Sequence, residues 1–402
     1  MSRNPRQRQG SGMVDRRQPL FFARLRVVPT HPSLPPLDDW GLDLLRRFAT
    51  WLVAAALWFG AAGSALVSPA AIAAQLFSLA DFAFEDGSVL PDMHIAYDTQ
   101  GTLSPARDNA ILLLPGAIND RHVFDPVIGP DKTFDTDKNF VITVDAIGGG
   151  ESSSPKDGLG QDFPRYTIRD MMEAAQALVT KGLGITRLRA VVGMSMGSFV
   201  ALEWGIHHPD SAGGLVLMAP SPQSDAAFRL TLDMASATIA LDPEWQGGRY
   251  THNPVEGLRH AGMQFYPWVV STAHLDGLTP EALAQELEAA AGAFAAWDAN
   301  ALVLRQAAYR AHDVAAPFDG DLAKALAAVT MPVLLLANPG DRLVDIAGAR
   351  ALRDGVKQAV YAEIPGDLGH RSVRALPGSP AGDFIDRRIR AFLSALPGVP
   401  AD

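Results

Sequence analysis

Residues 188–210 read LRAVVGMSMGSFVALEWGIHHPD, and the change of period within this stretch decides the fold. Residues 190–193 form a short, apolar, β-branched run, as expected of a strand buried on both faces. Gly193-Met194-Ser195-Met196-Gly197 then makes a tight turn, and residues 197–207 read as a helix. A serine between two glycines at such a junction fits a nucleophile elbow. The glycines remove the Cβ atoms that would collide in so sharp a turn. The hydroxyl stands at a helix N-terminus, whose free N–H groups favour developing negative charge. The pattern G-x-S-x-G is common by chance in a chain with 36 glycines, so its place between an apolar strand and a helix is what gives it weight.

Outward from the elbow, short β-rich runs alternate with helical patterns. Strands are predicted over residues 82–84, 94–97, 110–114, 140–144, 190–193, 214–218, 333–337 and 360–364. Helices are predicted over 168–181, 197–207, 346–356 and 384–396. This order predicts an α/β fold, a mostly parallel sheet flanked by helices. Between about residues 220 and 321 the strand signal vanishes and patterns such as PEALAQELEAAAGAF take over, predicting an inserted helical lid.

A serine hydroxyl is a weak nucleophile that needs a base, and the base needs an orienting carboxylate. After the strand VLLLA comes Asn338-Pro339-Gly340-Asp341, and after YAEIP comes Gly366-Asp367-Leu368-Gly369-His370. Order and strand-end placement point to Ser195, Asp341 and His370 as catalytic residues. Asp367 is a rival carboxylate, too near His370 on the same loop to be preferred. An oxyanion hole needs two backbone donors. The N–H of Met196 supplies one, and the loop Pro115-Gly116-Ala117-Ile118-Asn119 the other. Pro115 has no N–H, and Ala117 is favoured over Gly116. No cysteine/histidine cluster has metal-ligand spacing, and neither a cofactor nor a metal is expected.

The chain has 402 residues, no cysteine and a net charge of −10, and 48% of it is hydrophobic. These values exclude a disordered chain and a disulfide scaffold. The charge is unevenly spread. Residues 1–47 sum to +5, residues 48–80 carry no charge, and the remainder is at −15. Nucleic acid is therefore not expected as a partner, because the body offers nothing to neutralise phosphates. The expected organisation is a basic, unstructured lead (1–47), an apolar signal or anchor segment (48–80) and a catalytic body (81–402). The middle segment follows Arg46-Arg47 and contains WLVAAALWFGAAGSALV. Gly63/Ala65 or Ala71/Ala73 suit the −3 and −1 positions of a cleavage site. Export to the periplasm or exterior is the expectation. Membrane anchoring through 48–80 is the alternative, weakened by Pro69.

The body resembles the homoserine O-acetyltransferase family of α/β-hydrolase-fold proteins. The resemblance rests on IAYDTQGTLSPARDNAILL, VIGPDKTFDTDKNFVITVDAIGGGESS, FPRYTIRDMMEAAQALV, VVGMSMGSFVALEWGIHHPD, LDPEWQGG and WDANALVLRQAAYRAHDV. It implies an α/β-hydrolase fold and an acyl-enzyme mechanism with Ser195, Asp341 and His370 as the triad. It also marks Arg259 and Tyr266, in GLRHAGMQFY, as substrate-binding, and Arg371, beside His370, is a third substrate-binding candidate. Departures fall at the site. Met194 and Ser198 replace glycines of the family's G-G-S-M-G-G, Pro115 stands where a histidine is usual, and Arg371 replaces an aspartate suited to the substrate's ammonium. An arginine there would repel an amine.

These readings favour a serine esterase acting on a small acyl ester, because export separates the enzyme from acyl-CoA and the ammonium partner is lost. The alternative is an O-acyltransferase moving an acyl group from acyl-CoA to homoserine or another alcohol. A non-catalytic protein on this fold is disfavoured by the intact triad. Beside the substrate, the partner expectations are a membrane, through 48–80, and a second copy in a homodimer. The lid aromatics Trp245, Phe265, Tyr266, Trp268 and Trp297 suggest an apolar approach, although such residues more often form lid core.

Overall fold

A computed structural model describes residues 75–374 and 376–396. The basic lead and residues 48–74 lie outside the described residues, and with them the export signal, the alternative anchor and the cleavage positions. Among the described residues, no helix is long and apolar enough to cross a membrane.

Eight strands form one sheet: β1 (Gln75–Ala83), β2 (Val89–Gln100), β3 (Ala110–Leu114), β4 (Phe140–Val144), β5 (Ala190–Met194), β6 (Leu215–Met218), β7 (Val333–Ala337) and β8 (Ala359–Glu363). Their spatial order is β1-β2-β4-β3-β5-β6-β7-β8. β1 and β2 form an antiparallel hairpin, β2 also pairs antiparallel with β4, and all other pairings are parallel. Every residue of β3, β5, β6 and β7 is buried. Helices cover both faces of a parallel sheet, so its central strands read as unbroken apolar runs.

The helices are α1 (Ile168–Ala177), α2 (Met196–His207), α3 (Ala226–Ala240), α4 (Val255–Val269), α5 (Thr272–Asp276), α6 (Pro280–Ala295), α7 (Ala299–Arg310), α8 (Leu322–Ala327), α9 (Ile346–Gly355) and α10 (Pro380–Ala395). α3 to α8 lie between β6 and β7, where the helical insertion was expected. Side chains of Asp225, Ser271, Thr279, Asp298 and Asp321 accept first-turn N–H groups and start five of these helices.

Several boundaries shift. The sheet begins at Gln75, six residues before the expected start at residue 81. The end of the apolar segment therefore pairs with β2 and buries Leu79. The short strands expected over 82–84 and 94–97 are parts of the long β1–β2 hairpin, whose largely solvent-facing strands carry polar residues that hide their length. The helix expected over 168–181 is α-helical to Ala177 and ends in a π-type turn, Leu178–Gly182.

Three strands end beside one another with chemistry on their loops. Ser195 follows β5, Asp341 follows β7 and His370 follows β8. Loops at the carboxyl ends of parallel strands gather on one edge of the sheet, which is how residues 175 positions apart come together.

Candidate active site

Ser195 has φ 53° and ψ −119°, a backbone conformation that costs a non-glycine residue free energy. The turn is as tight as the sequence implied. A Cβ on Gly193 would lie 2.0 Å from the Gly197 carbonyl oxygen, and one on Gly197 would lie 2.1 Å from that of Leu114. The Ser195 N–H donates to the Met218 carbonyl (2.8 Å) and the Ser198 hydroxyl donates to the Ser195 carbonyl (2.6 Å). Ser198, a departure from the family pattern, thus closes the turn with an extra hydrogen bond.

The Ser195 hydroxyl lies 2.8 Å from His370 Nε2, and His370 Nδ1 lies 2.6 Å from Asp341 Oδ2. Oδ1 of Asp341 accepts the N–H groups of Leu343 and Val344, each at 2.9 Å. All three side chains are buried. The carboxylate fixes the tautomer with the proton on Nδ1, which leaves Nε2 free to accept the serine proton. Asp367 is exposed and meets Ser271 only through its backbone carbonyl.

Two further residues complete this wall. The Tyr309 hydroxyl lies 3.2 Å from the Ser195 oxygen. Its ring packs edge-on against Phe199 and Phe228, with centroids 4.6 Å away in each case. Burial pushes its phenol well above the usual range, so it stays a neutral hydrogen-bonding group. Arg305 is 1% exposed. It donates from Nη1 to the Ala117 carbonyl (2.9 Å) and from Nη2 to the carbonyls of Ala146 (3.1 Å) and Ile147 (3.2 Å). Burial lowers its pKa from the ordinary arginine value. The guanidinium grips the carbonyl of the residue expected to line the oxyanion hole, and so fixes the tilt of that loop. Both residues lie in WDANALVLRQAAYRAHDV, where a buried arginine at the i−4 position to a tyrosine was a readable but unused signal.

Gly116, Ala117, Ile118 and Asn119 line one cavity with Ser195 and His370. Met196 opens α2, so its N–H is among the first-turn donors that lack an intrahelical partner. Of the two residues expected to supply oxyanion donors, Met196 follows Ser195 directly and Ala117 lines the cavity beside it. The cavity has a volume of about 240 Å³ and is roofed by α3, α4, α6 and α7.

Tyr266 and Arg371 also line it, and Arg259 does not. Arg259 reaches outward to Glu288 on α6 (2.6 Å), so the expectation that it binds substrate is corrected. Its helix α4 instead presents Gly262, Phe265, Tyr266 and Val269 to the cavity. The expectation for Arg371 changes too, because its guanidinium is paired with Glu286. Glu286 additionally accepts from the Tyr266 hydroxyl (2.7 Å) and lies 3.1 Å from His274 Nε2. Burial would raise the Glu286 pKa, but the Tyr266 and Arg371 contacts outweigh it and hold the carboxyl below its usual range. Burial and the Glu286 hydrogen bond push the Tyr266 phenol up to about 12. Glu286 escaped the sequence reading because it sits 85 residues from Arg371, in a helical run rich in Ala and Glu. Trp245, Trp268 and Trp297 pack against the core as partly buried residues, so only Phe265 and Tyr266 of the five lid aromatics face the cavity. Among the described residues, no group of three or more His, Asp or Glu could hold a metal ion.

Residues 109–372 match the α/β hydrolase fold family. The chain is 33% identical over 325 residues to a homoserine O-acetyltransferase of Leifsonia xyli, an alignment covering 71% of this chain and 80% of the relative. It is 32% identical over 329 residues to a homoserine O-succinyltransferase of Methylibium petroleiphilum, covering 71% and 85%. Among solved structures, an acetylester hydrolase from Corynebacterium glutamicum superposes with a TM-score of 0.74 at 26% identity, covering 80% of this chain and 96% of the other. A buried Ser–His–Asp relay at the sheet's carboxyl edge, under a helical lid and with these relatives, leads to one assignment: the chain belongs to the homoserine O-acetyltransferase-like family of α/β-hydrolase-fold proteins.

Proposed function

We propose that this protein is a serine-dependent O-acyltransferase that carries an acyl group on Ser195 from an activated donor, such as an acyl-CoA, to an alcohol acceptor of the homoserine type. The observation that carries the reading is the relay Ser195–His370–Asp341, with separations of 2.8 and 2.6 Å, opening into a roofed cavity. His370 takes the proton as Ser195 attacks the donor carbonyl, and Asp341 stabilises the imidazolium. The N–H groups of Met196 and Ala117 receive the oxyanion. The leaving group departs with the proton, and His370 then deprotonates the alcohol that attacks the acyl-enzyme.

Transfer is preferred to the hydrolysis expected from the sequence for two reasons. The relatives that align with some 71% of the chain bear the names of homoserine acyltransferases. The charge argument against an amine-bearing acceptor also weakens, because Glu286 sits on Arg371 and supplies an anion of its own. A carboxylate beside a guanidinium offers a complementary partner to each end of an amino acid. Hydrolysis is the second reading, favoured by the likeness to the acetylester hydrolase.

The full chain supplied with acetyl-CoA or succinyl-CoA, with and without homoserine, tests the choice. The account expects CoA release that depends on homoserine, with O-acylhomoserine identified by mass spectrometry. Release of free acid at the same rate with and without any alcohol would make hydrolysis the reaction.

A further inference from the structure

The lining of the cavity beside Ser195 has two unlike parts. One carries the cluster Tyr266, Glu286 and Arg371, next in sequence to His370. The other is a hydrocarbon wall of Leu232, Phe265, Phe294 and Leu302, none more than 8% exposed, with Val269 and Ala290 beside them. Of the other polar groups that reach the cavity, two are already engaged, while Arg374 also lines it and is exposed. Arg305 spends its terminal nitrogens on three backbone carbonyls, and the Gln306 carbonyl oxygen accepts from the Ser236 hydroxyl (2.6 Å).

Size separates the acyl groups that could fit. An apolar cavity of about 150 Å³ takes up a benzene ring of six carbons. The present cavity of about 240 Å³ exceeds that and leaves room for the head of a small alcohol. Two-carbon acetyl would leave most of the apolar wall without contacts. Succinyl would be long enough, but a terminal carboxylate lodged against Leu232, Phe294 and Leu302 would meet hydrocarbon, where a charge is costly to bury unless it is paired.

We infer that the acyl group this enzyme transfers is a saturated chain of about six to eight carbons, with its methyl end against Leu232, Phe294 and Leu302 and the acceptor held at the Tyr266–Glu286–Arg371 cluster. The inference rests on the acyl-enzyme reading of Ser195. Gly262 and Ala290 both line the cavity, and a Cβ on Gly262 would lie 2.4 Å from the Ala290 carbonyl oxygen, so the glycine lets α4 and α6 approach closely there.

The test measures kcat/KM of the full chain for p-nitrophenyl acetate, butyrate, hexanoate, octanoate and dodecanoate. Each methylene fully buried in such a wall raises the value by roughly fourfold, so hexanoate or octanoate is expected to exceed acetate by tenfold or more, with a decline by dodecanoate. Ala290→Leu is expected to lower the hexanoate-to-acetate ratio at least fivefold. A profile highest at acetate, or an unchanged ratio in Ala290→Leu, overturns the inference while leaving the nucleophile in place. If Ser195→Ala keeps the wild-type rates, the acyl-enzyme reading itself has failed.

Discussion

Ser195 is held by four neighbours whose distances set what it can do: His370 Nε2 at 2.8 Å, the Tyr309 hydroxyl at 3.2 Å, the Met218 carbonyl and the Ser198 hydroxyl. Tyr309 is the neighbour that the order of motif residues does not reveal. Replacing it with Phe leaves the ring contacts to Phe199 and Phe228 intact and removes one hydrogen bond. Tyr309→Phe is therefore expected to lower kcat about three- to tenfold, in line with the roughly 1 kcal/mol of one net hydrogen bond, with little change in melting temperature. Steady-state kinetics and a thermal melt together check this. The triad was legible because each member follows a strand and the turns carry glycine. Arg259 misled because position along a helix says nothing of which face meets the cavity; its pairing with Glu288 resolves that only in three dimensions.

At the scale of elements, one carboxylate joins three lid and loop side chains, beside the Ser271 hydroxyl that donates to the Asp367 carbonyl. Glu286 on α6 joins Tyr266 on α4, His274 on α5 and Arg371 beside His370. Its pKa is depressed in the folded protein, so the unfolded chain binds more protons near the ordinary carboxylate value of 4.5. The stability that Glu286 contributes is therefore present above that pH and is lost as the pH falls through the lower, folded value. Glu286→Gln is expected to melt at a lower temperature than the wild type at pH 7, by about 1 kcal/mol of stability. The gap should narrow toward pH 4, and an unchanged gap across that range would contradict the latch. The lid's helical character was readable from its composition and from the caps Asp225, Ser271, Thr279, Asp298 and Asp321. The long β1–β2 hairpin was not, because an edge hairpin with one face in solvent lacks the continuous apolar run that marks β3, β5 and β7.

For the whole molecule, Arg305 shows how the sheet, the oxyanion loop and the lid share one support. From α7 in the lid it reaches the carbonyls of Ala117 after β3 and of Ala146 and Ile147 after β4. Arg305→Met leaves those buried carbonyls without their donors. It is expected to cost on the order of 3 kcal/mol of stability and to lower kcat more than it raises KM, because the loop proposed to carry an oxyanion donor at Ala117 loses its support. Denaturant unfolding with kinetics on the folded variant reads both effects. Parallel strands, elbow, lid and the chain order Ser–Asp–His could all be read from sequence, since each follows from local period or strand-end placement. The residues that bind the parts together, Arg305, Tyr309 and Glu286, are single polar side chains on helices, and each has a partner between 85 and 188 positions away.

The central claim is that acyl transfer proceeds through an ester on Ser195. Intact-protein mass spectrometry of the full chain, quenched soon after mixing with p-nitrophenyl hexanoate, tests it most directly. The account predicts an added hexanoyl mass mapped to the peptide that carries Ser195, discharged on addition of homoserine with O-hexanoylhomoserine as product. Unmodified Ser195 during full turnover, or the same adduct formed by Ser195→Ala, would contradict it.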